Sequence, residues 1–468
     1  MRNQILCGDS LTILKTLPNE SVHSIVCDPP AGISFMGKDW DGAKGGRIAW
    51  ISWLSEVMTE ALRVLNPGGH ALVWALPRTS HWTACALEDA GFEIRDKLYH
   101  IFASGFPKSY DIAKGIEGIL MQGSANWTDW KHLPGERQEG ENVAYGMTRT
   151  NAETGNRPRT YVSTGAFELD ATTEEAKKWN GWGTALKPAV EEWILCRKPL
   201  SESSIARNVL EWGCGGLNIN GSRIAGEIWQ RSTPYKDDIR NGHLHAAKEQ
   251  KTYEVGPQQG NGLGRYPAHL LLSHTEECQP GACVEGCPAL ELDKQSGIRK
   301  SGVLTLDPCS PSTRNAYGEY GQRSLTTYGD EGGASRYFTQ FYYAPKASTA
   351  ERNLGCETPN MHPTVKNQQL MRWLCRLITP PQGIVLDCFA GSGSTGVAAI
   401  AEGFHFIGIE LDPEYAAIAQ ARLNYAIAEY EAEAKREKQL ALFDVPIVKK
   451  TTPPKPITRE LWEVEAVG

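Results

Sequence analysis

The side chains of this 468-residue chain that could do chemistry fall into three short segments. The first is Asp28-Pro29-Pro30, at the end of the apolar run SIVC (24–27). Both prolines lack N–H donors and stiffen the turn, so the Asp28 carboxylate and the Pro29 carbonyl can face outward as fixed acceptors. Two adjacent acceptors suit the exocyclic amine of a ring. They take its two N–H bonds, draw the nitrogen toward tetrahedral geometry and free its lone pair to attack. In that role Asp28 positions and polarises, and it need not be a strong base.

The second segment, LDCFAGSGSTG (386–396), sets Asp387, Gly391, Gly393 and Gly396 where a strand would open into a helix. Glycines allow a tight turn and close approach to a ligand, and a helix N-terminus favours electronegative groups. Glu410, ending the next apolar run, could accept hydrogen bonds from both hydroxyls of a ribose. Together they describe a nucleoside-binding crevice of Rossmann-like type, and the missing GK[ST] argues against a triphosphate P-loop. The third segment, HTEECQPGACVEGC (274–287), offers His274, Cys278, Cys283 and Cys287 as ligands of a candidate structural zinc site. Its spacing is not the common paired CxxC, so reduced thiols on a loop are the alternative.

Elements that would position these residues can be read from periodicity. Strands are expected at 4–9, 24–30, 70–76 and 92–102, with helices at 11–17, 51–65 and 80–90, and NPGG (66–69) as a turn. The same alternation returns near the other end, with strands at 383–389 and 405–411, a helix at 394–403 and a long helix from residue 412. The fold class is therefore α/β, a mostly parallel sheet covered on both faces. The expected division is 1–115 as one half of this domain, 116–344 as an insertion, 345–430 as the other half, and 431–468 as a charged helix end and tail. Segments 121–165 and 225–265 lack periodicity and are expected to be long loops or partly disordered.

Composition excludes little. An apolar fraction of 41% with 22% charged residues fits an ordinary globular protein, and no apolar run reaches the ~18 residues of a membrane span. Scattered cysteines and the start MRNQILCGDS, which lacks a signal-like apolar region, lead to a cytoplasmic expectation with no membrane partner. A net charge of −7 still permits a local basic groove.

DPP after a buried strand, with FAGSGSTG far downstream, resembles the amino-group DNA methyltransferases whose catalytic motif precedes the cofactor motif (the β arrangement). The resemblance extends over ILCGDSLTILKTLPNESVHSIVCDPP and HPTVKNQQLMRWLCRLITPPQGIVLDCFAGSGSTG. GFPKS, GWGTALKPAVEEWILCRKPL, LNINGSRI and GRYPAHLLLSH suggest the phage and prophage branch. It implies a circularly permuted methyltransferase fold with an inserted target-recognition region, S-adenosylmethionine as methyl donor, and direct transfer to a base flipped out of double-stranded DNA. Asp9 would contact the cofactor's adenine, Phe389 would lie in the cofactor motif, and His362 and Thr364 would approach its methionine end. A homodimer and a cognate restriction endonuclease are the protein partners such enzymes suggest.

The trend within the family links DPP to N6 of adenine and SPP to N4 of cytosine, so adenine is expected and cytosine is the alternative. One residue departs from the pattern. The aromatic that follows DPP and stacks on the base is here Ala31, with Phe35 as a candidate substitute; a catalytically silent DNA-binding relative is the reading this leaves open. The loop 32–50 could close over a flipped base, with Lys38, Lys44 and Arg47 available to phosphates; an ordinary surface loop is the alternative. Lys108, Lys187, Arg197, Lys198, Arg207, Arg265 and Arg336 are further candidates for DNA contacts, against the alternative of solvated surface charge.

Overall fold

Short apolar runs alternating with amphipathic stretches build one twisted sheet in a computed structural model. It describes residues 2–33, 41–42, 44–103, 105, 109–123, 171–224, 229–230, 264–279, 281–300, 326–327, 330–342 and 349–442. The chain forms two compact units, Met1–Ser104 with Ala189–Gly468, and Gly105–Pro188.

In the larger unit the strands are β1 (Gln4–Cys7), β2 (Val22–Cys27), β3 (Leu65–Ala75), β4 (Glu93–Ile101), β5 (Val190–Arg197), β6 (Trp229–Gln230), β7 (Leu270–Ser273), β8 (Arg299–Lys300), β9 (Thr326–Thr327), β10 (Glu331–Gly332), β11 (Thr339–Phe341), β12 (Ile384–Asp387) and β13 (His405–Glu410). Nine of them make the main sheet in the order β1-β13-β12-β2-β3-β5-β4-β7-β11, while β6 pairs with β9 and β8 with β10. Only β5 runs against its neighbours in the main sheet. Its helices are α1 (Ser10–Leu14), α2 (Arg47–Val64) and α3 (Ser80–Asp89), and the smaller unit holds α4 (Ile112–Gln122) and α5 (Glu174–Lys177). The larger unit continues with α6 (Ile205–Trp212), α7 (Pro288–Ser296), α8 (Thr349–Asn353), α9 (Gln368–Ile378), α10 (Ser394–Ala401) and α11 (Pro413–Leu442).

Strand side chains alternate between faces, and the core divides accordingly. Ile25, Cys27, Ala71, Val73, Ile194 and Leu386 pack with Trp50, Leu54 and Met58 of α2. Val26, Leu72, Trp193, Leu195 and Val385 pack on the other face with Leu374 of α9, Ala398 of α10 and Leu423 of α11. Helices cover both faces, as the periodicity requires.

Two expectations need correction. NPGG does not end a turn before a strand: β3 runs through it, and the register against β2 shifts between Val22 and Ser24. Gly68, at φ +74°, takes the irregular position, and the Asn208 side-chain amide satisfies the Pro67 carbonyl at 2.8 Å. The region 116–344, set apart above as an insertion, gives β5, β7 and β11 to the main sheet. Apolar WILC in β5 is buried on both faces, so central pairing was the route to satisfying its backbone. Most of 121–165 and 225–265, and the tail after Leu442, lie outside the described residues. No helix among the described residues is long and apolar enough to cross a membrane.

Candidate active site

β12 and β2 are parallel neighbours, with Val385 opposite Ser24 and Leu386 opposite Ile25. From β12 the chain passes through α10 to β13 on one side; from β2 it passes through α2 to β3 on the other. Strand order reverses here, and the carboxyl ends of strands at such a switch point are where open α/β sheets bind their ligands. Asp387 is the last residue of β12, and Asp28 immediately follows β2. Segments from opposite ends of the chain therefore meet at one edge of the sheet.

On the β12 side the glycine turn is tightly held. Asp387 is 2% exposed; its Oδ1 accepts from the Phe389 N–H at 3.0 Å and its Oδ2 from the Thr395 hydroxyl at 2.6 Å. Burial pushes this carboxyl up to about 7 against those two bonds, and the charges of Asp28 and Glu410 add to the rise. Glu410 accepts from the Gly391 N–H at 2.7 Å and the Asp412 N–H at 2.9 Å, so it ties the turn to the end of β13. Burial raises its pKa also. Gly391 sits at φ +53°, and a Cβ there would lie 2.8 Å from His362 Nε2.

The His362 ring is fixed by the Thr364 N–H donating to Nδ1 at 3.3 Å and by edge contact with Tyr415 at 4.6 Å. Burial first, then the cations Arg352 and Arg422, bring its pKa down to about 4, so the ring is neutral at neutral pH. Asp9 follows β1, the neighbour of β13, and caps α1 by accepting from the Thr12 N–H and hydroxyl at 2.9 Å. Phe389 packs against Trp53, 5.9 Å between ring centroids. Asp9, His362, Thr364, Asp387, Phe389, Gly391, Gly393 and Glu410 thus lie on or around the glycine turn at the carboxyl ends of β1, β12 and β13.

On the β2 side, Asp28 follows a strand whose Val26 and Cys27 are fully buried, and Pro29 is buried behind it. The Asp28 side chain is 26% exposed, and its Oδ2 lies 3.3 Å from Lys366 Nζ. The same ammonium reaches Glu191 Oε1 at 3.6 Å and stands 4.4 Å over the Trp74 ring. Beyond Glu191, His100 Nδ1 lies 3.7 Å from Oε2, and His100 Nε2 is 2.6 Å from the Ser273 hydroxyl. Burial raises the Asp28 pKa, with Lys366 opposing and Glu191 adding. For Glu191 burial also pushes up, but Lys366 and His100 outweigh it and hold the carboxyl below its usual range. Lys366 stays protonated, because the two carboxylates overcome its own burial.

Lys366, Glu191, His100 and Trp74 were not singled out from the sequence. Lys366 stands in HPTVKNQQL, two residues after Thr364, and Asn367 caps α9 by accepting from the Gln369 N–H at 2.8 Å. The cap marks where α9 begins, but nothing local pairs the preceding lysine with Asp28 or Glu191.

The Asp41 carboxylate accepts from the Gly32 N–H at 3.0 Å, which fastens the chain just after DPP. Phe35 and Lys38 lie outside the described residues, as does Lys108. Lys187 is exposed in the smaller unit, and Lys44, Arg47 and Arg207 are exposed in the larger. Arg197 and Arg265 are corrected as DNA contacts. Arg197 is 7% exposed and bonded to Glu93 at 2.6 and 3.1 Å, because the end of β5 pairs with β4. Arg265 is 4% exposed, paired with Asp330 and stacked 4.6 Å over Tyr337. Lys198 and Arg336 are likewise engaged, by the Leu65 carbonyl at 2.7 Å and the Gly333 carbonyl at 2.7 Å. A buried, paired cation is poorly placed to meet phosphate. His274, Cys278, Cys283 and Cys287 do come together, with ligand atoms all within 4.8 Å of one another.

A family profile described as DNA methylase, of the N6/N4 group, matches residues 22–421. The DNA adenine methyltransferase YhdJ of Escherichia coli K12 is 46% identical over 72 residues, which is 15% of this chain and 24% of that protein. The type II methyltransferase M.BglI of Bacillus subtilis is 39% identical over 66 residues, 14% of this chain and 19% of that protein. The chain therefore spans about a quarter or less of the length of these curated relatives. Among solved structures, the PvuII DNA methyltransferase (cytosine-N4-specific) overlaps 91% of this chain and 90% of its own, at 14% identity and a TM-score of 0.36. The M1.HpyAVI complex with SAM overlaps 90% and 98%, at 16% identity and a TM-score of 0.34.

Proposed function

Because the chain belongs to the N6/N4 DNA methylase family, we propose that it transfers a methyl group from S-adenosylmethionine to the N6 amine of adenine in double-stranded DNA. The observation that carries this reading is the meeting of Asp28 and the Asp387–Gly393 turn across two adjacent parallel strands. A donor held on one side and an amine held on the other would face each other over a few ångströms, and proximity of that kind is a large share of such catalysis.

The cradle fits a nucleoside cofactor on this chain's own geometry. A Cβ at Gly391 would fill the space against His362, and Glu410 and Asp9 present carboxylates along the same edge. Asp9, Glu410 and the glycine turn would hold the nucleoside, with His362 and Thr364 at the methionine end. The cofactor supplies an electrophilic methyl group. Asp28 and the Pro29 carbonyl would accept the two N–H bonds of the amine, and the stiff DPP turn keeps both acceptors in place without reorganisation. Lys366 opposes the rise that burial gives the Asp28 pKa and so favours the charged carboxylate. No cysteine is called on as a nucleophile. The target base must leave the helix to reach this edge.

A second reading is favoured by Ala31: without the stacking ring, worth ~1–3 kcal/mol per base, the protein would bind DNA and cofactor but transfer nothing. Tritiated-methyl transfer to unmodified DNA, followed by digestion and mass analysis of the nucleosides, separates these readings. The expected product is N6-methyladenine, with Asp28→Ala lowering the rate about 10²–10³-fold. Label in N4-methylcytosine would replace adenine by cytosine as the target. Cofactor binding without transfer to any DNA would sink the enzyme reading altogether.

A further inference from the structure

The four ligand-type side chains at 274–287 lie outside the Asp28–Asp387 site and take no part in the reaction proposed above. We propose that His274, Cys278, Cys283 and Cys287 bind one zinc ion in a closed tetrahedral site that fixes the β7–β11 edge of the sheet.

Distances come first. Bond lengths of about 2.3 Å to sulfur and about 2.0–2.1 Å to nitrogen place the corners of a zinc tetrahedron about 3.5–3.8 Å apart. His274 Nδ1 lies 3.3 Å from Cys283 Sγ and 3.4 Å from Cys287 Sγ, and the full set spans no more than 4.8 Å. These sulfurs and the nitrogen converge on a common point rather than pairing off as one thiol contact.

The histidine is oriented as a ligand. Its other nitrogen, Nε2, is 2.9 Å from Gln340 Oε1, an acceptor, so Nε2 carries the proton and Nδ1 keeps its lone pair toward the sulfurs. The ring also stacks on Tyr342, 4.4 Å between centroids and 5° from parallel. Donors surround Cys278: the Val284 N–H reaches its sulfur at 3.4 Å and the Thr275 hydroxyl lies 3.1 Å away. Hydrogen bonds of this kind favour a thiolate, the form that binds metal.

The buried part of the local core is small. It consists of Leu272, Cys278, Cys287 and Ala289, two of them thiols, with partly buried residues such as Leu270, Val284, Leu290 and Phe338 packed against it. Gly281 (φ +80°) and Gly286 (φ +79°) let the chain wrap, and a tight turn pairs Gln279 with Ala282. Small substructures without a sufficient core commonly depend on a metal or a cross-link. The site ties together what surrounds it: His274 directly follows β7 and its N–H donates to the Phe341 carbonyl of β11 at 2.8 Å, while Cys287 is the N-cap residue of α7. Four protein ligands leave no open position, so the ion would be structural.

The test uses the full-length, untagged protein purified without added metal. Elemental analysis should find about one zinc per chain. Cobalt(II) exchanged into the site should give the intense d–d bands of tetrahedral coordination and a thiolate charge-transfer band. Removing the ion with a strong chelator should lower the melting temperature by several degrees, and added zinc should restore it. Cys283→Ser, at the partly exposed ligand, should lose most of the bound zinc and melt at a lower temperature than the zinc-loaded protein. A protein free of zinc, an octahedral cobalt spectrum, iron in place of zinc, a disulfide among the three cysteines, or a melting temperature indifferent to chelation would each overturn the proposal. None of these readouts depends on methyl transfer.

Discussion

At the scale of single residues, the contact that most affects the chemistry is the ammonium of Lys366 beside Asp28, 3.3 Å away and shared with Glu191. Burial raises the Asp28 pKa, and the lysine is the main opposing influence. A protonated Asp28 loses its negative charge and is a weaker acceptor for the second N–H bond of the amine, so activity should fall as pH drops through that pKa. Lys366→Met removes the cation and should shift the acid limb of kcat/KM upward by about one pH unit, the low end of the range for a nearby charge on a partly exposed group. An acid limb in the variant that coincides with the wild type would remove Lys366 from the mechanism. Asp28 was legible as a candidate because DPP after an apolar run is a local pattern. Lys366 was not, since its partner lies in a distant segment and nothing local marks which of many lysines will meet it.

At the scale of elements, the strand-to-helix turn from β12 to α10 carries a cost. Burial lifts Asp387 from an ordinary 3.8 to about 7. Between those values the folded protein keeps a proton that the unfolded chain has released, so the slope of stability against pH is negative and stability falls as pH rises. The full difference is at most roughly 4 kcal/mol, reached above about pH 7. Asp387→Asn keeps an acceptor for the Phe389 N–H and should flatten the slope, so that wild type loses stability relative to the variant between pH 5 and pH 8. Urea midpoints at the two pH values measure this. A wild type that gains stability relative to the variant toward pH 8 would contradict the assigned burial cost. β12, α10 and β13 fell within a few residues of the positions expected from periodicity, because each is a strong apolar run closed by glycine or an acidic residue. NPGG misled for a physical reason: turn residues also serve an irregularity inside a strand, and only pairing with β2 and Asn208 distinguishes the two.

At the scale of the whole molecule, the sheet joins the two ends of the chain, and the central region contributes more to it than its composition suggests. β5, β7 and β11 are short or apolar without alternation, so the sequence signal was indistinguishable from a loop-rich insertion. Arg197 and Arg265 went astray for the same cause: a basic residue looks solvated until the strand or turn that buries it is known. A chain ended at Gln382 keeps β2 but lacks β12 and β13, leaving β1 and β2 unpaired on that side. It should neither bind S-adenosylmethionine nor melt cooperatively by circular dichroism. A cooperative melt from that fragment would show that the N-terminal half is independently stable.

The seam between β2 and β12 also has a consequence for synthesis on the ribosome. The Ile384 N–H donates to His23 Nδ1 at 3.0 Å across a separation of 361 residues. Loop closure over such a distance comes late. While the intervening chain is being made, the DPP strand waits with one edge open, and the nascent polypeptide has a carboxylate in place but no pocket beside it. Under the proposed function, the growing chain therefore acquires its reactive centre only when almost all of it has been translated.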